Sequence, residues 1–318
     1  MTNSTAADEI GRMIVVYGAP FVLLFGLVGN TLIITTFSGK RLRYKSYAWL
    51  FICLSVSDSG LLSIDLVVRW TNYYYRSEYD FRGGNSVLCV AFLFLAHFFA
   101  HASPWMLVLI TMERCVSVVA PMRAKIICSR KRMIYASLLV IFLVFAINSH
   151  MFYGMRITQD GFCREREGVY LDFWSRYWLT IHLVIASAAP FAVLLICNAV
   201  IIYFLKRAES RRQTQTSAVT NNITLMLVTT NFTFFVTSFP FTVVIILRPA
   251  SILVHVISAM LMYVNYAINF WLYCFTGRMF REELIELCSD CRRRPCCDCR
   301  HRKDQEEPTA YNTTSPQN

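Results

Sequence analysis

Residues Cys89–Pro121 read CVAFLFLAHFFAHASPWMLVLITMERCVSVVAP. From Ala91 to Met112, 22 residues, there is no Asp, Glu, Lys or Arg. As a helix rising about 1.5 Å per residue, this run crosses a bilayer core of roughly 30 Å. Charge returns only at Glu113-Arg114, where the water interface is expected. Such a pair is tolerated when it faces other helices or a cavity. A snorkelling Arg among the headgroups is the plainer alternative.

The rest of the chain repeats the pattern. It is 56% hydrophobic and 16% charged, whereas soluble domains are about 25% charged. The 318 residues leave room for about seven spans joined by short loops. Apolar runs fall at 13–37, 46–71, 91–112, 133–153, 174–205, 219–247 and 251–275. Residues 1–12 are short and polar, without the features of a cleavable signal. Asn30 and Asp58 lie at mid-membrane and need partners there. After the seventh run, Phe280, Leu284 and Leu287 are spaced four and three apart. That spacing predicts an amphipathic helix, 277–287, lying on the membrane surface. A cysteine-rich and then polar tail, 288–318, follows. The fold class is an all-α membrane protein, a seven-helix bundle with a short surface helix.

Glu113-Arg114-Cys115 followed by Pro121-Met122 resembles the end of the third span in rhodopsin-like G-protein-coupled receptors. The resemblance extends through Gly29-Asn30, Asp58, Cys89, Ser103, Cys163, Pro190, Phe234, Pro240, Asn265, Asn269 and Tyr273, in order and over about residues 13–287. It is most similar to divergent receptors for FMRFamide-like neuropeptides. Several positions depart from the pattern. Cys115 replaces a usual Tyr, Ser238 the sixth-span Trp, and Phe270 the Pro of the seventh span; the fourth span lacks its Trp. Pro104 is an unusual residue for the third span and predicts a local kink.

Charge orients the spans. The loops on the tail side carry 22 Lys+Arg against 10 Asp+Glu; the other side carries nine of each. The basic excess belongs in the cytoplasm, which places the N-terminus outside. Basic residues divided among membrane-flanking loops do not make a nucleic-acid surface. Of twelve cysteines, Cys89 and Cys163 fall in outer loops, an oxidising location, and the resemblance implies a disulfide between them. Asn3-Ser4-Thr5 is an outward glycosylation sequon, whereas those at Asn222, Asn231 and Asn312 are expected to be unused. Cys288, Cys291, Cys296 and Cys297 among arginines are expected palmitoylation sites, with a zinc site near His301 as the alternative.

The resemblance implies three sites. Asn30, Asp58, Ser103, Asn265 and Asn269 would form a polar network; Asp58 and Ser103 would hold a sodium ion, or the network would hold water alone. Glu113, Arg114, Pro121, Met122 and Tyr273 would form the switch and coupling face. There Glu113 restrains Arg114, and Thr220 stands where relatives carry a second acid. An outward ligand pocket would be lined by Phe92, Ala96, His97, His182, Phe241, His255 and Tyr263, with Asp65 either neutralised by Arg69 or receiving a basic ligand group. Each histidine taken alone is more often a satisfied helix-packing residue than a ligand contact.

The expected function is binding of an extracellular ligand, a peptide first, and activation of a heterotrimeric G protein. Arrestin and membrane lipid are further partners, and the location is the plasma membrane. A receptor for a non-peptide chemosensory or lipid ligand, or a seven-span transporter, is the alternative. Ala96 lacks the Asp of amine receptors and Tyr263 lacks the Lys of opsins, which disfavours both. No internal repeat supports transport. No nucleophile-base pair or His-Glu-x-x-His motif supports an enzyme. No cofactor beyond sodium is implied.

Overall fold

A computed structural model describes residues 6–76, 80–210, 217–247 and 251–293, with the backbone alone for residues 81, 208–210, 217–223 and 290–293. Among these residues, seven helices are long and apolar enough to cross a membrane. They are α1 (Ala6–Phe37), α2 (Ser46–Tyr74), α3 (Ser86–Val119), α4 (Arg130–Gly154), α5 (Val169–Arg207), α6 (Ser217–Leu247) and α7 (Ile252–Thr276). A further helix, α8 (Arg278–Arg293), follows α7 after Gly277. The exterior is apolar and the interior carries the polar groups. Phe21 is 74% exposed and Phe142 65%, while Asn30, Asp58 and Ser103 are buried. That inversion suits a bundle whose surroundings are lipid.

Packing explains several sequence features. A Cβ on Gly26 would meet Ala267 Cβ at 2.9 Å, so glycine lets α1 lie directly on α7. One turn later Asn30 Nδ2 donates to the Tyr266 carbonyl at 3.1 Å. Helix α3 starts on an Asn85 cap, whose side chain accepts Val87 N–H at 2.7 Å, and it runs unbroken through Pro104. Wider π-type turns interrupt α2 at Leu62–Leu66 and α5 at Trp174–Trp178 and Val184–Ala188. Such turns re-aim side chains and often mark functional positions. They place Asp65 within the first and His182 between the other two.

Three boundaries differ from the sequence expectation. Helix α1 takes in Ala6 onward, so residues 6–12 of the polar segment are helical. Asp8 and Glu9 suit a helix N-terminus, and Glu9 pairs with Arg12 and Arg76 at 3.0 Å. The 154–173 loop holds a hairpin of β1 (Met155–Ile157) and β2 (Cys163–Glu165), antiparallel with Ile157 opposite Cys163, and α5 already begins at Val169. Helix α8 continues past residue 287 to Arg293. Phe280 buries its ring near Phe37 and Tyr273. Glu283 accepts Arg41 N–H at 3.2 Å, and Glu286 pairs with the Arg41 side chain at 2.8 Å.

Candidate ligand pocket, polar core and coupling face

At the inner end of α3 the expected restraint is formed. Arg114 Nε lies 3.0 Å from Glu113 Oε2, with both side chains less than a tenth exposed. Neither atom completes a hydrogen bond, so the contact is charge attraction without an aimed N–H. Two partners not anticipated from sequence complete the clamp. Ser46 donates to Glu113 Oε1 at 2.8 Å, and the Tyr47 ring lies 4.2 Å from the Arg114 guanidinium carbon. Both come from the start of α2, so the clamp joins α2 to α3. Pro121 opens a short helix, Pro121–Ile127, at a position where its missing N–H is harmless. Met122 on that helix is 78% exposed. Tyr273 is fully buried beside Phe51 and Phe280. The Thr220 side chain lies outside the described residues, as do Asn3 and the side chains of Cys291, Cys296 and Cys297; Cys288 is described and exposed.

At mid-bundle Asp58 accepts from the Ser103 hydroxyl and from Asn269 Nδ2, the latter at 2.8 Å. The other two expected members do not reach it. Asn30 is engaged by the Tyr266 carbonyl. Asn265 is buried one turn of α7 before Asn269, about 6 Å along the axis, and makes no bond to Asp58 among the described residues. A neighbouring network was not foreseen. Asn231 Nδ2 donates to Thr111 Oγ1 at 3.1 Å and to Asn198 Oδ1 at 3.0 Å, tying α6 to α3 and α5. The amide of a sequon expected to be unused is thus occupied inside the bundle.

Toward the outer end, Asp65 and Arg69 do not pair directly. The Tyr263 hydroxyl donates to Asp65 Oδ2 and accepts from Arg69 Nε at 2.9 Å. Tyr263 is therefore a fully buried link between α2 and α7, not an open pocket wall, with its phenol bonded to both charges. Asp65, Arg69, Asn72 and Arg82 help to line a cavity of about 360 Å³. A second space of about 280 Å³ shares Asn72 and Arg82 and adds Arg164.

The disulfide Cys89–Cys163 is formed, with Cα atoms 5.4 Å apart, and it fixes β2 to the top of α3. Asp80 reinforces it by accepting from Arg82 Nε and Nη2 at 2.8 Å and from Cys163 N–H at 3.3 Å. Burial works against the Asp80 carboxylate, but its bonds to Arg82 and Cys163 N–H outweigh that and hold it below the usual carboxylate range.

The remaining expected pocket residues separate into two groups. His97 stands beside His182, ring centres 5.3 Å apart, and Trp174 and Trp178 flank it. Phe241 faces His255 at 5.6 Å. Ala96 is buried in α3, and Phe92 lies partly buried one turn before it. His101, one turn after His97 on the same face as its spacing implies, and Asn148, not expected in the pocket, complete the histidine cluster: Asn148 Nδ2 is 3.0 Å from His101 Nδ1, and His101 Nε2 is 3.0 Å from His182 Nδ1.

This geometry agrees with comparisons to known proteins. The family described as 7 transmembrane receptor (rhodopsin family) matches residues 29–273. The FMRFamide peptide receptor frpr-18 of Caenorhabditis elegans is 24% identical over 206 residues, which cover 60% of this chain and 46% of that receptor. The chain thus spans about half the length of that relative. Human N-formyl peptide receptor 3 is 22% identical over 301 residues, covering 86% of this chain and 81% of that receptor. The family match takes in the disulfide, the Asp58 network and the Arg114 clamp. The chain belongs to the rhodopsin family of seven-transmembrane receptors, multi-pass membrane proteins that act as receptors and not as enzymes.

Proposed function

We propose that this receptor sits in the plasma membrane with its N-terminus outside, binds an extracellular peptide, and activates a heterotrimeric G protein. The observation that carries the coupling half is the buried Arg114, held by Glu113 and Tyr47 and followed eight residues later by the exposed Met122. A cation held this way is a two-position element, and a partner that offers Arg114 better contacts shifts it. Met122 supplies an apolar side chain for that partner's groove. Arrestin would use the same face. The peptide half is supported by the polar outer cavity and by the two relatives, both peptide receptors. Helix α8, with Phe280 anchored and Ile285 68% exposed, suits the membrane surface. Exposed Cys288 beside it suits palmitoylation, and Asn3 suits glycosylation on the outer side.

Asp58 is buried, and its hydrogen-bond donors, Ser103 and Asn269, are neutral. No basic side chain pairs with it among the described residues. A carboxylate and a hydroxyl without a counter-charge fit a hydrated monovalent cation, which would supply the missing positive charge. Asp58 and Ser103 would hold it, and it would favour the conformation that binds it better. Agonist affinity should then fall as sodium replaces a large organic cation, and Asp58→Asn should abolish the dependence.

The test of coupling is nucleotide exchange on purified G protein with receptor in lipid nanodiscs, driven by a pool of short synthetic peptides. Arg114→Ala and Met122→Ala should each lower exchange while surface expression stays normal. Unchanged exchange in both variants removes the basis for the coupling assignment, and a pool without any active member removes the peptide assignment.

A further inference from the structure

Two neighbouring outer spaces hold more arginine than acid. The first, about 360 Å³, is lined in part by Asp65 and Arg69, whose charges are joined through Tyr263. The second, about 280 Å³, is lined by Asn72, Asp80, Arg82, Phe162, Cys163 and Arg164. Asn72 and Arg82 belong to both, so the two spaces share a wall. Among the described lining residues there are three arginines and two aspartates, a net charge of +1. The outer side as a whole carries equal numbers of bases and acids, so this excess is local.

Both acids are occupied. Asp80 Oδ1 accepts from the Arg82 backbone N–H and Nε, and its Oδ2 accepts from Arg82 Nη2 and the Cys163 N–H. Asp65 accepts from Tyr263 and lines only the first space. Arg164 is left over. Its guanidinium carbon lies 5.4 Å from the Phe162 ring centre, and it forms no ion pair among the described residues. Strand pairing adds to the excess. Arg164 stands opposite Arg156 in the β1–β2 ladder, so both side chains leave the same face of the hairpin. Arg156 has Glu167 at 3.1 Å, whereas Arg164 has no acid. Like charges directly opposite each other destabilise a strand pair, and an anion beside Arg164 reduces that cost.

A carboxylate suits such a space. Both of its oxygens accept, and an arginine fork meets the two together. Arg164 supplies the fork, Arg82 adds Nη1, which Asp80 leaves free, and Asn72 adds an amide NH2 at the shared wall. A ligand ammonium would instead meet two guanidinium groups and an Asp80 whose oxygens are both taken. We propose that the space between Asn72 and Arg164 receives a carboxylate of the ligand, with Arg164 as its principal charge partner. The inference rests on the reading of the outer cavity as the ligand pocket, and in it Asp65 serves Tyr263 and not a basic ligand group.

The experiment measures binding of short probes to the full chain in nanodiscs by saturation-transfer NMR, without G protein. N-acetyl-Phe-Asp-amide offers a side-chain carboxylate and N-acetyl-Ala-Phe a terminal one; N-acetyl-Phe-Asn-amide and N-acetyl-Phe-Lys-amide are the neutral and cationic controls. At least one acid should bind about tenfold or more tighter than the Asn probe, and the Lys probe should be weakest. Which acid binds tells whether the carboxylate comes from a peptide end or a side chain. Arg164→Gln should weaken the better acid about three- to tenfold and leave the Asn probe within about twofold. Arg164→Lys keeps the charge without the fork and should recover part of the loss. Arg156→Gln removes a charge from the same face but does not line the space, and it should cost less than Arg164→Gln. Should Arg164→Gln fold poorly, raising salt on wild type from about 50 mM to about 500 mM should shrink the acid preference severalfold. A neutral or cationic probe that binds as well as both acids, no binding by any probe, an acid preference untouched by Arg164→Gln in folded receptor or by salt, or an equal loss in Arg156→Gln each overturns the proposal. A receptor that answers the peptide pool yet binds acid and Asn probes alike would lose this inference and keep the peptide assignment.

Discussion

Glu113→Gln removes the charge of one clamp partner while keeping its shape. The ionic contact is 3.0 Å long, with side chains only 4% and 9% exposed. Stranding one member of a fully engaged buried pair costs about 3–5 kcal/mol. Here the loss is smaller, because no N–H is aimed along the contact and the Tyr47 ring still holds the cation at 4.2 Å, a contact worth about 1 kcal/mol. Gln keeps the Ser46 bond through its carbonyl oxygen. That leaves about 1–3 kcal/mol taken from the resting arrangement. At 1.4 kcal/mol per tenfold, the active population rises roughly 5- to 150-fold from a small base. Ligand-free nucleotide exchange on purified G protein, at matched receptor density, reads this directly. Tyr47→Leu should give a smaller rise, and the double variant should fall short of the sum because both act on Arg114. Basal exchange in Glu113→Gln that equals or falls below wild type, with the protein folded and inserted, refutes the clamp as a restraint.

Cys89→Ser opens a link across a sequence separation of 74 residues, which should lower stability by about 2–4 kcal/mol and reduce surface expression; alkylation of both thiols in intact, non-reduced wild type would contradict it. Tyr263→Phe removes the phenol shared by Asp65 and Arg69, bonds to charged groups worth about 1.5–3 kcal/mol each, partly regained if the two then pair directly; the melting midpoint of purified receptor should fall by several degrees, and an unchanged midpoint counts against the link. Asp80 has its carboxyl held below the usual range, so its contribution is fully present above the ordinary Asp value and is lost only as pH falls through the lowered one. The Cys163 amide should therefore keep its hydrogen-exchange protection factor from pH 7 to pH 5, and Asp80→Asn should lower it at both; a wild-type loss between pH 6 and 5 contradicts this assignment.

The fold was largely legible because the bilayer imposes length and polarity on every span. Apolar runs of membrane length with few charges located all seven helices, and spacing at 280, 284 and 287 located the eighth. Helix ends were less legible. Asp8 and Glu9 read as loop by polarity, yet a helix N-terminus favours acids, and Arg12 and Arg76 hold Glu9 there. The three-residue strands and the π-type turns leave no periodic trace to read.

For the site, groups that act in sequence-adjacent pairs or at family spacing were readable: Glu113 with Arg114, Asp58 with Ser103 and Asn269, Cys89 with Cys163. Partners supplied by another helix were not. Nothing local to Tyr47 says that its ring will face Arg114, and nothing local to Asn148 says that its amide will meet His101. Asn265 misled for the opposite reason. Its residue type and family position were right, but it lies one turn of α7 before Asn269, the residue that reaches Asp58.

The polar contacts also bear on how the resting arrangement can yield. They form ties at several depths: Asp65 and Arg69 to Tyr263, Asp58 to Ser103 and Asn269, Asn231 to Thr111 and Asn198, and Glu113 and Arg114 to the start of α2. Each rests on one or two hydrogen bonds or one ion contact, a net of about 1–3 kcal/mol. A ligand with a few kcal/mol of differential affinity can therefore open one tie without unfolding the others. Helix α6 is one element with something to gain. Ser238, two residues before Pro240 where the family usually has Trp, buries its hydroxyl without a partner. An unmet buried hydroxyl costs about 1–3 kcal/mol, which a rearrangement that finds it a partner would recover.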